Sequence, residues 1–349
     1  MKKFLTILTF LFVSLAINAT EYYVATPSNG GKDTNTGLIG FPFATLNYAS
    51  LHVPAGTNTI HVGAGVFNEG INRVKFAEGV TLVGAGIIPP VTQVISSYVG
   101  DSLTLGSFVF SSSAQGTNGN QSVSNIWFDG SSITANIAIL VERRSNVTIY
   151  NCKFTNFKYS AITMSGGADI NSEPTIYATG NQIYNDTINN CTGYYGSKTL
   201  GAIEIVGQSG IKIYYNCFTQ KQRIVGNEVF VQGVSSFNNL MDIHDNYVNR
   251  LLLSNTVTPT DFHIQATSPA ISTGNLTAGE MTTDAGGNPI KNPPDIGAYG
   301  YYAVVPTVST VAATNISNTT ATSGRLFVAD GGSNIAMSGV CWHSGIWRF

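Results

Sequence analysis

The stretch Ile213-Tyr-Tyr-Asn216-Cys-Phe218 decides the fold, because its pattern recurs along the chain. The pattern is an apolar residue, two variable residues, Asn or a small substitute, one variable residue and an apolar residue. Further copies are Ile149–Phe154 with Cys152 in the Asn place, Ala178–Ile183, Ile224–Val229 and Ile243–Val248. Such recurrence predicts a repeat protein, whose units bury their apolar residues by stacking on one another.

A second phrase alternates apolar residues with others and begins at Ala138, Ala161 and Ala202, which are 23 and 41 residues apart. Strict alternation in short runs is typical of β-strands, and no helical period interrupts it. A spacing of this size suits a coil of three short strands joined by loops of varying length. The sequence therefore predicts an all-β protein, a right-handed parallel β-helix built as a single-stranded solenoid.

The repeats also predict how the coils pack. We expect Ile149, Ile213 and Ile243 to lie in one buried column. We expect the repeated Asn to adopt the left-handed turn between strands and to hydrogen-bond to the Asn above and below it. Cysteines in the repeats are expected to pack as small core residues rather than in disulfides or a zinc site; they are Cys152, Cys191 and Cys217.

The first 19 residues predict export. Lys2 and Lys3 precede the apolar run from Phe4 to Ile17, and Ala19 offers a cleavage site, which is the pattern of a signal peptide. The expected location is therefore secreted or on the cell surface. Without those two lysines the chain has 15 basic and 19 acidic residues, a net charge of −4, which disfavours nucleic acid as a partner. We expect no transmembrane segment and a monomer.

Several phrases resemble the pectate-lyase-like superfamily of secreted parallel β-helix proteins. They are Pro42-Phe-Ala-Thr-Leu46, Gly65-Val-Phe-Asn-Glu69 and Val80-Thr-Leu-Val-Gly-Ala-Gly86, followed by the closing segments Ser268–Gly274 and Asp295–Tyr299. The resemblance covers about residues 21–302 and implies the fold and the compartment. It leaves the activity open, because the superfamily holds lyases, hydrolases, epimerases and non-enzymes. We assign residues 20–303 to the parallel β-helix with its N-terminal cap.

The sequence pattern changes after Pro306. Thr307 to Trp342 resembles the first half of an immunoglobulin-like module common in surface proteins of Bacteroidetes. Such a β-sandwich needs about 100 residues to close, so we expect residues 304–349 to form a partial, truncated β-sandwich tail without a core of its own.

Candidate ligand-binding residues come from aligning the coils. The residue after the inward Ile is aromatic in several coils and predicts an outward row that could stack on sugar rings; its members are Trp127, Tyr150, Tyr214 and His244, with Tyr177 a further candidate. Basic turns at Arg143 and Arg223 could bind uronate carboxylates. The alternative is that the aromatic residues only stabilise the solenoid and the arginines are ordinary turn residues.

Candidate catalytic residues lie on the same predicted face. An anionic polysaccharide lyase needs a base for the proton α to the uronate carboxylate, and Lys212 or His244 could supply it. Ca²⁺ could stabilise the enolate-like state, and Asp242 with Glu204, or alternatively Glu142, could hold it. The alternative for Lys212 and Asp242 is a solvated charge pair.

The preferred hypothesis is a carbohydrate-active protein on an acidic polysaccharide, with β-elimination favoured over hydrolysis because the Asn-Thr-Asp and Asp-Asp phrases of pectin hydrolases do not occur. The alternative is a non-catalytic glycan-binding or adhesive surface protein. A third hypothesis is a passenger scaffold with no ligand.

Overall fold

The computed structural model of the chain describes residues 19–100, 106–167, 173–191, 193–195, 198–200, 202–219, 229–231, 238–239, 241–249, 268, 270–275, 282–302 and 307–329. The predicted signal peptide, apart from Ala19, lies outside these residues, as do Arg223, Cys341 and the last twenty residues. Within the described ranges, no helix is long and apolar enough to cross a membrane.

Short strands dominate the described chain. In the first half they are β1 Glu21–Val24, β2 Thr59–Val62, β3 Gly65–Gly70, β4 Val74–Lys75, β5 Thr81–Gly84, β6 Thr92–Ser96, β7 Gly106–Ser111, β8 Thr117–Ser124, β9 Trp127–Asp129, β10 Ile137–Glu142, β11 Arg144–Tyr150, β12 Lys153–Thr155 and β13 Ser160–Ser165. A 3₁₀ turn at Pro27–Asn29 and the helix α1, Leu46–His52, lie between β1 and β2.

The second half continues in the same way, with strands of two to eight residues. They are β14 Ala178–Thr179, β15 Gln182–Tyr184, β16 Thr187–Asn189, β17 Gly193–Tyr195, β18 Lys198–Leu200, β19 Ile203–Val206, β20 Gln208–Ser209, β21 Lys212–Tyr214, β22 Cys217–Thr219, β23 Val229–Val231, β24 Asn238–Asn239, β25 Asp242–His244, β26 Tyr247–Asn249, β27 Thr307–Thr314 and β28 Thr322–Ala329.

Four parallel sheets organise most of these strands, three large and one small. Sheet A has the order β1-β2-β5-β8-β11-β15-β21-β25, sheet B the order β3-β6-β9-β12-β16-β22-β26, and sheet C the order β4-β7-β10-β13-β19-β23. The small sheet has the order β14-β20-β24. From β2 onward the chain visits A, B and C in turn and returns to A beside the strand it left; from β14 onward it passes through the small sheet between C and A. We call one such passage a coil. The all-β, parallel-sheet prediction is confirmed.

The core lies between the three large sheets. The register of sheet A stacks six fully buried residues in one column: Ile60, Leu82, Val123, Ile149, Ile183 and Ile213, each 0% exposed. Ile243 continues this column in register but is 39% exposed, because among the described residues no further strand of sheet A covers β25. In sheet B, Phe128 and Phe154 stack with their ring centroids 5.4 Å apart.

A ladder of side chains joins the turns between sheets A and B. Asn246 Oδ1 accepts from the Asn216 amide at 3.0 Å, Asn216 Oδ1 accepts from the Asp186 amide at 2.9 Å, and Asp186 Oδ1 accepts from the Cys152 amide at 2.7 Å. The predicted hydrogen bonding between coils is therefore confirmed. The residue with left-handed backbone conformation, however, is the one before each hydrogen-bonding position, for example Asn185 (φ 56°) before Asp186. A single Asn therefore does not both adopt the left-handed turn and bond to the neighbouring coil.

Two repeat copies were misaligned. Ile183 pairs with Ile149, so the true phrase is Ile183-Tyr-Asn-Asp186-Thr-Ile188, and Asp186 stands in the Asn place instead of Asn181. The copy at Ile224 ends on Val229, which begins β23 in sheet C rather than a coil of sheet A; Ile224 itself is outside the described residues.

The described cysteines are free and buried, as expected. Cys152 and Cys191 belong to the core between the sheets. Cys217 does not, because it packs on the outside of sheet B against Ala298 and Tyr299.

The phrases that carry the family resemblance have a structural explanation in the N-terminal cap. Glu69 accepts from the amides of Leu46 and Asn47, at 2.7 and 3.0 Å, and so caps the first turn of α1. Asp33 accepts from the amides of Ala44 and Thr45. The Pro42–Leu46 phrase and Glu69 are thus parts of one hydrogen-bonded unit that covers the first coil.

The closing segments are also brought together. Asp295 accepts from the amides of Ser272 and Tyr301, at 2.7 and 2.6 Å. This segment contacts the coils through the Tyr215 hydroxyl, which donates to the Asn275 carbonyl at 3.3 Å.

The tail is described only as an antiparallel hairpin of β27 and β28. The described side chains from Val311 to Ser323 are exposed, including Ile316 at 73%. That the tail is a truncated module stays a prediction.

Removal of residues 305–349 is expected to leave the melting temperature within about 5 °C of the parent, because an exposed hairpin contributes little packing. Differential scanning calorimetry of both chains measures this. A larger loss would mean that the tail stabilises the coils.

Asp186 generates a prediction about pH. Burial raises its pKa well above the ordinary value, so the folded chain keeps a proton on this carboxyl to higher pH than the unfolded chain does. Stability should therefore fall as pH rises above about 4. Asp186→Asn keeps the ladder and removes the titration, because Asn216 at the same place donates Nδ2 to the Ile183 carbonyl. We expect the variant to gain about 1 to 3 kcal/mol at pH 8.

Urea unfolding at a series of pH values from 4 to 8 measures this difference. The gain should shrink toward pH 4. Parallel pH profiles of variant and parent, or a less stable variant at pH 8, would contradict a protonated Asp186.

Candidate functional site

The outward side of sheet A carries one residue per strand at the same height. The register aligns eight positions, which we call the outer ladder: Tyr23, His61, Val83, Ser124, Tyr150, Tyr184, Tyr214 and His244. Each follows the inward residue of its strand, so side-chain alternation puts the ladder on the outer face. The predicted row of Tyr150, Tyr214 and His244 therefore exists in register; the side chain of His244 is outside the described residues.

Three members form the tyrosine stack, Tyr150, Tyr184 and Tyr214. The ring centroids of Tyr150 and Tyr184 are 5.2 Å apart with planes at 20°, and those of Tyr184 and Tyr214 are 5.1 Å apart at 17°. Tyr150 and Tyr184 are half-buried and Tyr214 is buried. The surface that solvent meets is therefore the first two tyrosines of the stack.

The central phenol of the stack, that of Tyr184, is held in its neutral form. Burial, together with the neighbouring Tyr150 and Asp186, raises the pKa of Tyr184 to about 12. The Tyr214 hydroxyl donates to Gln182 Oε1 at 3.1 Å. Neutral phenols can both donate and accept hydrogen bonds, which suits a hydroxyl-rich ligand.

A second line of side chains runs beside the stack, two residues earlier on each strand. We call it the polar row, Thr148, Gln182, Lys212 and Asp242, and the register places these residues next to one another. All four are half-buried. The predicted adjacency of Lys212 and Asp242 on the face of Tyr214 is therefore confirmed, because β21 pairs directly with β25.

Trp127 does not belong to the outer ladder. It begins β9 in sheet B, because the inward residue of the preceding strand is Val123 and the ladder position after it is Ser124. There the Lys153 ammonium lies 4.1 Å from the Trp127 ring centroid, and the indole Nε1 donates to Thr155 Oγ1 at 2.8 Å. Tyr177 also lies outside the ladder, in no strand, with its hydroxyl bonded to Glu173.

Of the two predicted arginine sites, only Arg143 lies among the described residues. Arg143 adopts the left-handed conformation, φ 60°, in the turn from sheet C to sheet A. Its Nη1 donates to the carbonyls of Ser112 and Ser113, at 3.1 and 3.0 Å, so the guanidinium holds a neighbouring coil rather than lining the face of sheet A. Arg223 lies outside the described residues, and its role stays a prediction.

The predicted metal pair is separated. Glu204 lies on β19 of sheet C, whereas Asp242 lies on β25 of sheet A, because the alternating phrases form sheet C. Glu204 is fully buried, and burial raises its pKa to about 7, with the Thr163 hydroxyl on the next strand opposing the shift. Glu142, the alternative ligand, is also in sheet C, and burial raises its pKa.

No group of three or more metal-ligating side chains comes together within the described ranges. The residues expected to hold Ca²⁺ thus do not fit a shared site, and the calcium requirement stays a prediction.

Sequence reasoning missed three aromatic members of the outer ladder, Tyr184, Tyr23 and His61. Tyr184 was hidden by the misaligned copy at Ala178. The sequence did contain the signal for Tyr23 and His61. Tyr23 follows the inward residue Tyr22, and His61 follows the inward residue Ile60. Extending the alignment to the N-terminal strands would have found them.

Comparison with known proteins gives no family: no protein-family model and no curated protein matches the chain. Three solved structures are weakly similar. A provisionally assigned glycosyl hydrolase from Parabacteroides merdae is 12% identical with a TM-score of 0.39, covering 56% of this chain and 81% of its own. A GH136 lacto-N-biosidase from Eubacterium ramulus is 14% identical with a TM-score of 0.36, covering 66% and 41%.

The third is the catalytic unit of a GH87 α-1,3-glucanase from Streptomyces thermodiastaticus, 17% identical with a TM-score of 0.26, covering 56% of this chain and 41% of its own. The chain thus spans about two fifths of the length of the last two proteins. Likenesses this weak indicate neither a family nor a shared activity.

Proposed function

We propose that the chain is an exported right-handed parallel β-helix that binds an acidic polysaccharide along the outer face of sheet A. The right hand follows from the rule for parallel crossovers. The tyrosine stack carries the proposal: rings 5.1 to 5.2 Å apart in consecutive coils offer the same groups at a regular spacing, which suits a polymer of repeating units.

Two features of the face favour a saccharide. Stacked tyrosines are already ordered by one another, so binding costs little side-chain entropy, and each supplies an apolar edge and a hydroxyl. The polar row adds amide, hydroxyl and charged groups beside the rings. Lys212 gives that row a cation that can pair with a uronate carboxylate, which favours an acidic glycan.

For the reaction we propose β-elimination, with Lys212 as the base. Its amine, in the neutral form, would remove the proton α to the uronate carboxylate, the glycosidic C–O bond at the β carbon would break, and the departing oxygen would take a proton from water. The product carries a double bond conjugated to the carboxylate and absorbs in the ultraviolet. His244, next to Tyr214 in the register, is the second candidate for the base.

The second candidate function is non-catalytic glycan binding or adhesion. The tyrosine stack favours it independently of any chemistry, because its two accessible rings, Tyr150 and Tyr184, need no acid or base to hold a sugar. Separate assays of binding and of turnover decide between the two functions.

Tyr184→Ala is expected to weaken binding of polygalacturonate or alginate by about 1 to 3 kcal/mol, the scale of losing one large side-chain contact. Tyr184 is the better target than Tyr214 because Tyr214 is 1% exposed. Affinity gel electrophoresis and calorimetry measure the loss. Tyr177→Ala, a tyrosine outside the ladder, is the matched control. Equal binding by both variants and the parent would show that the stack only stabilises the coils.

Lys212→Ala is expected to abolish release of unsaturated product even at saturating polysaccharide. Because the variant also loses the cation that pairs with the uronate, its polysaccharide binding should weaken by up to about tenfold, while the unfolding transition stays unchanged. Absorbance of the conjugated product, with and without added Ca²⁺, measures turnover. Lys153→Ala, a lysine on sheet B, should turn over like the parent. A parent chain that binds uronates without forming product would contradict β-elimination and favour the binding protein.

A further inference from the structure

A cleft of about 420 Å³ lies at the N-terminal end of the outer ladder. Its walls come from β1, β2 and β5, through Tyr23, His61 and Val83, and from the cap, through Asn29 and Pro42. The volume falls within the range of small-molecule sites and holds one or two sugar rings. The nearest strand of the cleft, β5, is four strands from β21, which carries Lys212, in sheet A, so the cleft is separate from the part of the face that carries this lysine.

The row of aromatic rings in the outer ladder is interrupted beside this cleft, at Val83. Tyr23 covers one face of the His61 imidazole, with ring centroids 5.2 Å apart and planes at 22°. The next position on the other side is Val83, which has no ring and is only half-buried. His61 lines the cleft and its side chain is 39% exposed. Its neighbour on this side is a small aliphatic side chain, so a sugar ring could lie where the next aromatic ring would be.

His61 is also held by a polar partner. Its Nε2 is hydrogen-bonded to the Glu21 carboxylate, and the two side chains are 39% and 49% exposed. In the neutral imidazole that donates through Nε2, Nδ1 remains an acceptor. In that form the pair has an acceptor nitrogen on His61, which lines the cleft, and a carboxylate on Glu21 beside it; such groups bind sugar hydroxyls.

The charge of the lining selects among sugars. No lysine or arginine is present among the described residues that line the cleft, and Glu21 adds a negative charge beside the lining residue His61. A uronate would meet this carboxylate without a cation to pair with. The lining therefore favours a neutral sugar, in contrast to the face that carries Lys212.

We propose that the cleft formed by Tyr23, His61 and Val83 is a second saccharide site, which takes one or two neutral sugar units. The sugar ring packs against the His61 imidazole, and its hydroxyls bond to His61 Nδ1 and to the Glu21 carboxylate. This site does not depend on polysaccharide binding at the tyrosine stack.

The test fills the cleft without removing a polar group. Val83→Tyr places a ring at the empty position of the ladder, on a strand that tolerates aromatic residues, and Val83→Thr is the matched control. The probes are maltose, cellobiose, lactose and digalacturonate at millimolar concentrations, added to the full mature chain. The readouts are saturation-transfer difference NMR and the imidazole C–H shift of His61, assigned with His61→Gln.

At least one neutral disaccharide should shift the His61 signal, bind Val83→Thr within about threefold of the parent and bind Val83→Tyr at least tenfold more weakly. Three outcomes would overturn the proposal: no neutral sugar moves the His61 signal, Val83→Tyr binds as the parent does, or digalacturonate binds as well as the neutral sugars.

Should Val83→Tyr fail to fold, Tyr23→Ala serves as the second variant, and unchanged affinity there would also overturn the proposal. Tyr184→Ala separates the two sites, since it should leave binding in the cleft unchanged whether or not the tyrosine stack binds polysaccharide.

Discussion

The structure depends on satisfying the backbone amides at the turn from sheet A to sheet B. Each turn is made in a few residues, and its amide donors are buried between coils, where an unpaired donor is costly. A side chain from the following coil supplies the acceptor, from Asn246 to Asn216 to Asp186 to Cys152. Each coil thus completes the hydrogen bonding of the one before it. Stability consequently accumulates between neighbours rather than within a coil.

The same stacking creates the outer face. Once the ladder fixes the height of every coil, side-chain alternation places one residue of each strand outward at that height. Inward residues such as Ile183 hold the core, and the next residue, Tyr184, is free to vary with little effect on it. Stability and recognition therefore reside in adjacent positions of one strand. Substitutions such as Tyr184→Ala and Val83→Tyr can probe recognition because of this separation.

The sequence predicted the features that repeat and missed those that depend on spatial neighbours. The inward column of Ile149 and Ile213 follows from spacing alone. The repeat alignment failed at Asp186. Asp has the same shape as Asn but was not treated as equivalent to it, and that error hid Tyr184. Glu204 was misplaced because strands of sheets A and C alternate alike, so periodicity cannot say which sheet a strand joins.

The hairpin of β17 and β18 stands between β16 of sheet B and β19 of sheet C and pairs with neither. The coil that contains it still returns to register, with Ile203 beside Ile162 and Ile213 beside Ile183. A lineage of such proteins can therefore gain or lose loops, or duplicate a whole coil, while the remaining outward positions keep their alignment. Each coil that is gained or lost would then change the length of polymer that the face can span by one strand spacing.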